Sequence, residues 1–185
     1  MIDEQNAAAK VIAVASDAGH NTIKPLRPAI ILVAGLGVKG DAHLGKTVQH
    51  LYDKRRNPYA PNLRQVHLMH AELFDELAGK GITVTSGQMG ENIVTRGIDL
   101  LGLPQGTRLH MGEAVIEITG LRNPCSKINI IHPDLLKAVI EKRADGSLNR
   151  KTGVMAVVIT GGAVTAGDAI VVVMPEGEPV ALEPV

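Results

Sequence analysis

The chain is dominated by short apolar segments that are rich in β-branched residues and separated by glycine and proline. These segments are residues 10–16, 29–34, 64–69, 93–95, 107–111, 114–119, 153–160 and 168–174. Segments of this length and composition favour β-strands. Helical patterns occupy only residues 71–78 and 133–143, and residues 47–56 are expected to form a short helix or an ordered flap. Because strand follows strand more often than helix, the order favours a barrel over a doubly wound sheet.

We therefore predict a mainly β (α+β) fold, a closed or nearly closed β-barrel with a few peripheral helices. The core must consist of Val, Ile, Leu, Ala and Met, because the chain has no Trp, one Phe and two Tyr. A length of 185 residues fits one such domain, which we place at residues 1–175. Residues 144–151 are expected to form a polar loop, and residues 176–185 an extended or disordered tail.

Composition argues against several classes of protein. Nineteen basic residues balance nineteen acidic ones, which is unlike a nucleic-acid-binding surface. No apolar run is long enough to span a membrane. Residues 1–6 are polar and acidic, unlike a signal peptide, and a single cysteine cannot form an internal disulfide. We expect a cytoplasmic protein.

That single cysteine, Cys125, lies in a distinctive stretch of sequence. Pro124 precedes it and favours an extended or turn conformation, so the thiol is expected at a strand end rather than within a helix. Arg122 and Lys127 flank it, and positive charges favour the reactive thiolate form. Free cysteines are also often small, buried and inert residues. Both interpretations remain open from the residues alone.

A glycine-rich segment matches two nucleotide-binding patterns. Gly35, Gly37 and Gly40 have the spacing of a dinucleotide fingerprint, and residues 40–47 match a phosphate-binding P-loop. Each pattern requires a strand before the loop and a helix after it. The flanking sequence fits a glycine-rich loop that leaves a strand at least as well.

Several short motifs, read together, resemble the MOSC family, domains related to the C-terminal part of molybdenum cofactor sulfurases. They are Lys39-Gly40-Asp41-x-His43, Arg64-Gln65-Val66-x-Leu68, Gly90-Glu91-Asn92, Gly112-Glu113-Ala114, Arg122-x-Pro124-Cys125-x-Lys127 and the closing stretch from Gly162 to Asp168. The resemblance extends from about Gly35 to Val173. It implies a compact β-barrel whose cysteine carries sulfur as a persulfide or ligates molybdenum in bound molybdopterin. Some relatives reduce N-hydroxylated compounds.

The resemblance also implies roles for individual residues. Cys125 would be the catalytic residue and, if the cofactor binds, the molybdenum ligand. The residues expected to bind the cofactor are Lys39, Asp41, His43, Arg64, Asn92, Arg122 and Lys127. Arg122 is the first choice for the cofactor phosphate, Asp41 would complete the coordination or hold a water, and Asn92 would bond the pterin. The alternatives are solvated surface charges, an aspartate that caps its own backbone and a turn asparagine.

Three functional hypotheses follow, and whether the protein is an enzyme stays open. The first is a molybdenum-cofactor-binding or sulfur-carrying protein, for example a molybdenum-dependent reductase or a sulfurtransferase-like protein. The second is a non-catalytic module that delivers molybdopterin, and a distant third is a P-loop enzyme. No pyridoxal phosphate is expected on this chain, so another protein would have to donate the sulfur. The expected partner is therefore a sulfur donor or a molybdoenzyme. His67 and His70 have the spacing of some zinc ligands but no second pair accompanies them.

Overall fold

A computed structural model describes residues 9–185 of the chain. The start of the predicted domain and the polar residues 1–6 lie outside the described residues. The strands are β1 (Lys10–Ala15), β2 (Leu26–Arg27), β3 (Ala29–Val33), β4 (Gly37–Val38), β5 (Val66–His70), β6 (Ile93–Arg96), β7 (Arg108–Met111), β8 (Ala114–Leu121), β9 (Ile140–Lys142), β10 (Leu148–Arg150), β11 (Val154–Thr160), β12 (Gly162–Thr165) and β13 (Ile170–Val173). The helices are α1 (Leu51–Arg56), α2 (Glu72–Gly79) and α3 (Leu135–Ala138), with 3-10 helices at Leu100–Gly102 and Ser126–Ile130.

The strands form one large sheet and two small ones. The large sheet has eight strands in the order β13-β7-β8-β11-β5-β6-β1-β2. Neighbouring strands are antiparallel except for β5 and β6, which are parallel and are connected through α2. The order β12-β3-β4 makes a three-stranded sheet, and β9 and β10 form a separate hairpin. The mainly β character expected from the sequence is confirmed.

The closed barrel was wrong: no sheet within residues 9–185 closes on itself. The edges of the large sheet are β13 and β2, which do not pair. The chain entering β13 meets β1 only in an isolated bridge between Lys10 and Ala169 and a few backbone hydrogen bonds, such as Val11 N–H to the Asp168 carbonyl at 2.9 Å. Periodicity indicates which residues are strands and which face is buried, but it carries no information about pairing between distant strand edges.

The helix expected at residues 133–143 is also wrong over most of its length. Only Leu135–Ala138 is helical, and the chain then forms the β9–β10 hairpin. The polar loop expected at residues 144–151 is wrong in part, because β10 occupies Leu148–Arg150. Asp145 and Gly146 supply the turn, with Gly146 at φ +86° and the Asp145 carboxylate accepting the Ser147 N–H at 2.8 Å. An Asp-Gly pair between short strands is a strong hairpin signal, and it prevails here over the helical spacing of the leucines before it.

Two buried apolar clusters support the fold. The first lies between the large sheet and the three-stranded sheet, and Leu32, Leu68 and Ile116 are among its fully buried members. The second joins α2 and α3 to the 3-10 helix at Ser126–Ile130, with Leu73, Ile128 and Leu135 at its centre. The second cluster therefore fixes the segment that follows Cys125.

The C-terminal segment, residues 176–185, runs along the end of β8. Gln105 N–H donates to the Val180 carbonyl at 2.9 Å, and Leu121 N–H donates to the Glu183 carbonyl at 2.8 Å. Val185 N–H returns a bond to the Leu121 carbonyl at 3.2 Å. None of the helices between residues 9 and 185 has the length and apolar character needed to cross a membrane.

Candidate functional site

Cys125 lies where β8 has ended and the 3-10 helix Ser126–Ile130 begins. Its backbone is extended, at φ −126° and ψ 163°, and it lies outside a helix as expected. Pro124 and Ile128 on either side are buried, whereas Cys125 is exposed. The backbone at this position is anchored by its neighbours in the core, and the thiol faces solvent.

Arg122 lies beside this thiol and is held by its backbone. Its N–H donates to the Gly153 carbonyl at 3.0 Å, and its carbonyl accepts the Thr152 hydroxyl at 3.0 Å. The half-buried guanidinium donates to the Asn123 carbonyl at 3.2 Å. Burial lowers the pKa of Arg122, and the nearby Cys125 thiol acts in the opposite direction. The arrangement places a fixed positive charge next to the exposed sulfur.

Arg64 adds a second guanidinium to this region. It donates to Asp53 in α1 at 3.0 Å, and its charge also lowers the pKa of Arg122. His50 lies 3.2 Å from the same carboxylate of Asp53. Burial lowers the pKa of His50, and the charge of Arg64 lowers it further. Arg122 thus lies close to both the Cys125 thiol and the Arg64 guanidinium, and the binding of a cofactor by these residues stays a prediction.

Asp41 is the centre of a buried polar network. Its Oδ2 accepts Lys24 Nζ at 2.7 Å and Asn92 Nδ2 at 2.9 Å, while its Oδ1 accepts the His43 backbone N–H at 3.0 Å and contacts His43 Nδ1 at 3.1 Å. The Asp41 side chain is 0% exposed and that of Lys24 is 2% exposed. Burial acts to raise the pKa of Asp41, but the bonds from His43 and the charge of Lys24 outweigh it and hold that pKa well below its usual range.

The side chain of Asn92 is likewise hydrogen-bonded to other residues of the protein. Its Oδ1 accepts the His67 N–H at 3.2 Å, and its Nδ2 donates to the Ala15 carbonyl at 3.1 Å as well as to Asp41. Because Asp41 and Asn92 direct their polar atoms at protein partners, the geometry supports structural roles for both: a capping aspartate and an asparagine that joins β1 to β5. Their proposed contacts with a cofactor remain predictions.

The two remaining lysines and His43 differ in their placement. The ring of His43 meets the ring of His20 edge-on, with centroids 5.2 Å apart. Lys127 is exposed on the 3-10 helix after Cys125, and its charge is one of several influences that lower the pKa of His20, of which burial is the largest. Lys39 is exposed just after β4, and no ion pair within residues 9–185 ties it to the site.

Three buried polar residues were not among those expected to bind the cofactor: Lys24, Glu91 and His67. Glu91 is 0% exposed and accepts the Gly87 and Met89 N–H groups, and burial raises its pKa. The His67 ring bonds the Thr152 carbonyl at 2.7 Å, and burial lowers its pKa to about 3. Glu91 belongs to the quoted Gly-Glu-Asn motif, so a signal was present for it. Lys24 lies in a polar loop, and no sequence motif indicated that it would be buried.

The competing nucleotide and zinc interpretations do not fit the structure. Gly35 and Gly37 belong to the tight connection of the antiparallel β3–β4 hairpin, where a dinucleotide site needs a strand and a helix. Residues 40–47 lead to no helix until Leu51, and that helix has six residues. Within the described part of the chain, no three His, Cys, Asp or Glu side chains cluster as a metal site would require.

Solved structures with the same fold were found. The YUAD protein from Bacillus subtilis matches with a TM-score of 0.71 and 23% identity, over 89% of this chain and 95% of that one. YiiM from Geobacillus stearothermophilus matches with a TM-score of 0.67 and 18% identity, over 94% and 79%. YiiM from Escherichia coli matches with a TM-score of 0.61 and 20% identity, over 92% and 73%. At these identities the similarity establishes the fold.

The family assignment rests on sequence as well. No similar sequence was found among curated proteins. The family model for the MOSC domain, however, matches residues 41–171, which include Asp41, Arg64, Asn92, Arg122 and Cys125. The chain therefore belongs to the MOSC domain family.

Proposed function

We propose that the protein uses Cys125 to bind the molybdenum cofactor or to carry sulfur in an oxygen- or sulfur-transfer system. The observation that carries the proposal is the exposed thiol of Cys125 beside the half-buried guanidinium of Arg122. A neighbouring guanidinium stabilises a thiolate, and the thiolate is both the nucleophile and the metal ligand. A thiol that served only to fill the core would not face solvent.

The residues around the thiol fit an anionic cofactor. The Arg122 guanidinium donates to one backbone carbonyl, that of Asn123, and a guanidinium has further donors that would bind a phosphate. Arg64 shares one bond with Asp53, and Lys127 is exposed next to the thiol segment. The soft sulfur of Cys125 suits molybdenum better than the oxygen and nitrogen donors around it.

The two roles of Cys125 differ in what its sulfur binds. As a cofactor-binding residue it would hold molybdenum, and the bound group would supply the oxygen-transfer chemistry. As a sulfur carrier, its thiolate would attack the outer sulfur of a donor persulfide. The donor S–S bond would break, the donor cysteine would leave as a thiolate, and Cys125 would keep the persulfide. In both roles Arg122 stabilises the negative charge on sulfur.

A partner belongs to the proposal, because either role needs a source of cofactor or sulfur. We infer a sulfur donor or a molybdoenzyme, in a cytoplasmic setting where a single thiol stays reduced. The alternative function, delivery of molybdopterin without catalysis, is favoured by the same cluster of positive groups at Arg122, Arg64 and Lys127, which would bind the cofactor phosphate without help from the thiol.

The test is the molybdenum retained after incubation with free cofactor and gel filtration. We expect the parent protein to retain metal, Cys125→Ala to lose it and Arg122→Gln to bind it more weakly. Arg108→Gln is the matched control, because Arg108 is paired with Glu117 in the β7–β8 hairpin, away from the thiol. Equal retention by the parent and Cys125→Ala would instead favour the delivery module.

A second measurement separates the sulfur carrier from the metal ligand. Incubation with a persulfide donor, followed by mass spectrometry of the intact chain, should show one added sulfur on the parent and none on Cys125→Ala. A parent that neither retains molybdenum nor gains sulfur would contradict the proposal.

A further inference from the structure

A cavity of about 430 Å³ lies outside the Cys125 site. It is partly open to solvent and is lined by the C-terminal segment, the β9–β10 hairpin and the 3-10 helix Leu100–Gly102. Its apolar walls are formed by Leu101, Leu103, Leu121, Leu148 and Leu182. Its size falls within the range of roughly 300–1,000 Å³ that is usual for small-molecule sites.

The wall that the C-terminal segment contributes is held by specific backbone contacts. Leu121 both donates to Glu183 and accepts from Val185, so the segment is paired with the end of β8. A Cβ atom at Gly120 would lie 2.6 Å from Cγ1 of Val185, which is closer than side chains tolerate. Glycine at this position therefore permits the close approach that forms the cavity.

Two arginines at the cavity give it a chemical preference. Arg143 donates to the Asn149 side chain at 3.3 Å, and Arg150 donates to the Asn123 side chain at 3.0 Å. Within residues 9–185 neither forms an ion pair with a carboxylate. Glu183 also borders the cavity, but it is exposed and pairs with neither arginine in that part of the chain. Both guanidiniums retain donors for an anion.

We propose that this cavity is a binding site for a small organic acid, with its apolar body against the leucines and its carboxylate at Arg143 and Arg150. The bond from Arg150 to Asn123 connects the site to the segment that carries Arg122 and Cys125. The inference does not depend on the function proposed for Cys125, because it uses a different set of residues.

The test uses a fluorescent anion with an apolar body, 8-anilinonaphthalene-1-sulfonate, titrated against the full chain. The parent should bind one dye, and the double variant Arg143→Gln/Arg150→Gln should bind it about tenfold more weakly. The uncharged analogue N-phenyl-1-naphthylamine should bind both proteins alike. Leu182→Trp, which fills the cavity, should weaken both dyes, and Arg108→Gln should change neither.

Two variants that separate the charge of the site from its shape provide an independent arm of the experiment. Glu183→Gln removes a negative charge from the rim and should tighten sulfonate binding, whereas Arg150→Lys keeps the charge and should preserve most of it. Thermal melting of each variant shows whether it is folded. The proposal would be overturned if the double variant bound the sulfonate dye as tightly as the parent. It would also be overturned if Arg122→Gln, and not the double variant, weakened the binding of that dye.

Discussion

At the scale of single residues, the ion pair between Lys24 and Asp41 is the most demanding feature of the structure. Both side chains are almost fully buried, and their charged atoms lie 2.7 Å apart. A buried charge is tolerated only when it is paired and hydrogen-bonded, and Asp41 meets this condition through His43 and Asn92 as well. The loop that carries His43 therefore depends on the charge of Asp41.

We predict that Asp41→Asn lowers the free energy of unfolding by about 3–5 kcal/mol, because it leaves the Lys24 ammonium buried without a counter-charge. Urea unfolding monitored by circular dichroism measures the change. The double variant Lys24→Met/Asp41→Asn should recover part of the loss. Asp75→Asn breaks an exposed pair with Arg96 and should leave the unfolding free energy nearly unchanged. If Asp41→Asn lowered the unfolding free energy as little as Asp75→Asn does, this account would be contradicted.

The sequence allowed one half of this network to be predicted. Asp41 and His43 share a short motif, so their proximity was expected, and a capping role for Asp41 was among the alternatives. Lys24 is 17 residues away in a polar loop, and its burial depends on how that loop folds over the sheet. No local pattern encodes such a contact. Arg122 and Cys125, by contrast, are only three residues apart in the sequence, so their proximity could be predicted without knowledge of the fold.

At the scale of secondary structure elements, Gly153 controls how β11 meets β5. Its φ is +80°, and an added Cβ would collide with the carbonyl oxygen of Leu68. Its own carbonyl accepts the Arg122 N–H. The same glycine therefore permits a close strand contact and anchors the segment that leads to Cys125.

Gly153→Ala should cost about 2–5 kcal/mol of unfolding free energy, since left-handed strain and a backbone collision act together. Gly146→Ala is the matched control, because Gly146 has φ +86° with no atom within 4 Å of an added Cβ. It should cost only about 1–2 kcal/mol. Thermal or urea unfolding of both variants measures the difference. Equal costs would show that the collision with Leu68 is relieved by a backbone shift.

The errors in the sequence prediction are concentrated in short elements. The strands with five or more residues in the structure were all anticipated, because their β-branched residues identify them. The strands β2, β4, β9, β10 and β12 have two to four residues each and were missed. Such strands exist because a neighbour pairs with them, which local sequence does not record. The β9–β10 hairpin is the exception, since Asp145-Gly146 was a readable turn signal.

At the scale of the whole molecule, the arrangement of sheet edges distinguishes the structure from the barrel that was expected. The end of β8 extends beyond β7, whose pairing with β8 reaches only as far as Glu117. The C-terminal segment covers the exposed side of β8 at Leu121. An unpaired strand edge next to the Cys125 segment would be open to other chains, and this contact protects it.

Removal of residues 176–185 should therefore act on the edge of β8 and leave the core intact. The Leu121 amide loses its acceptor on Glu183, and the Gln105 amide loses its acceptor on Val180, so both should exchange hydrogen faster. The Leu68 amide, deep in the large sheet, should keep its protection. Since Leu182 only borders the main core, the loss of unfolding free energy should be modest, about 1–3 kcal/mol. Hydrogen exchange measured residue by residue by NMR tests this, and an equally protected Leu121 amide in the shortened chain would mean that another segment satisfies the edge.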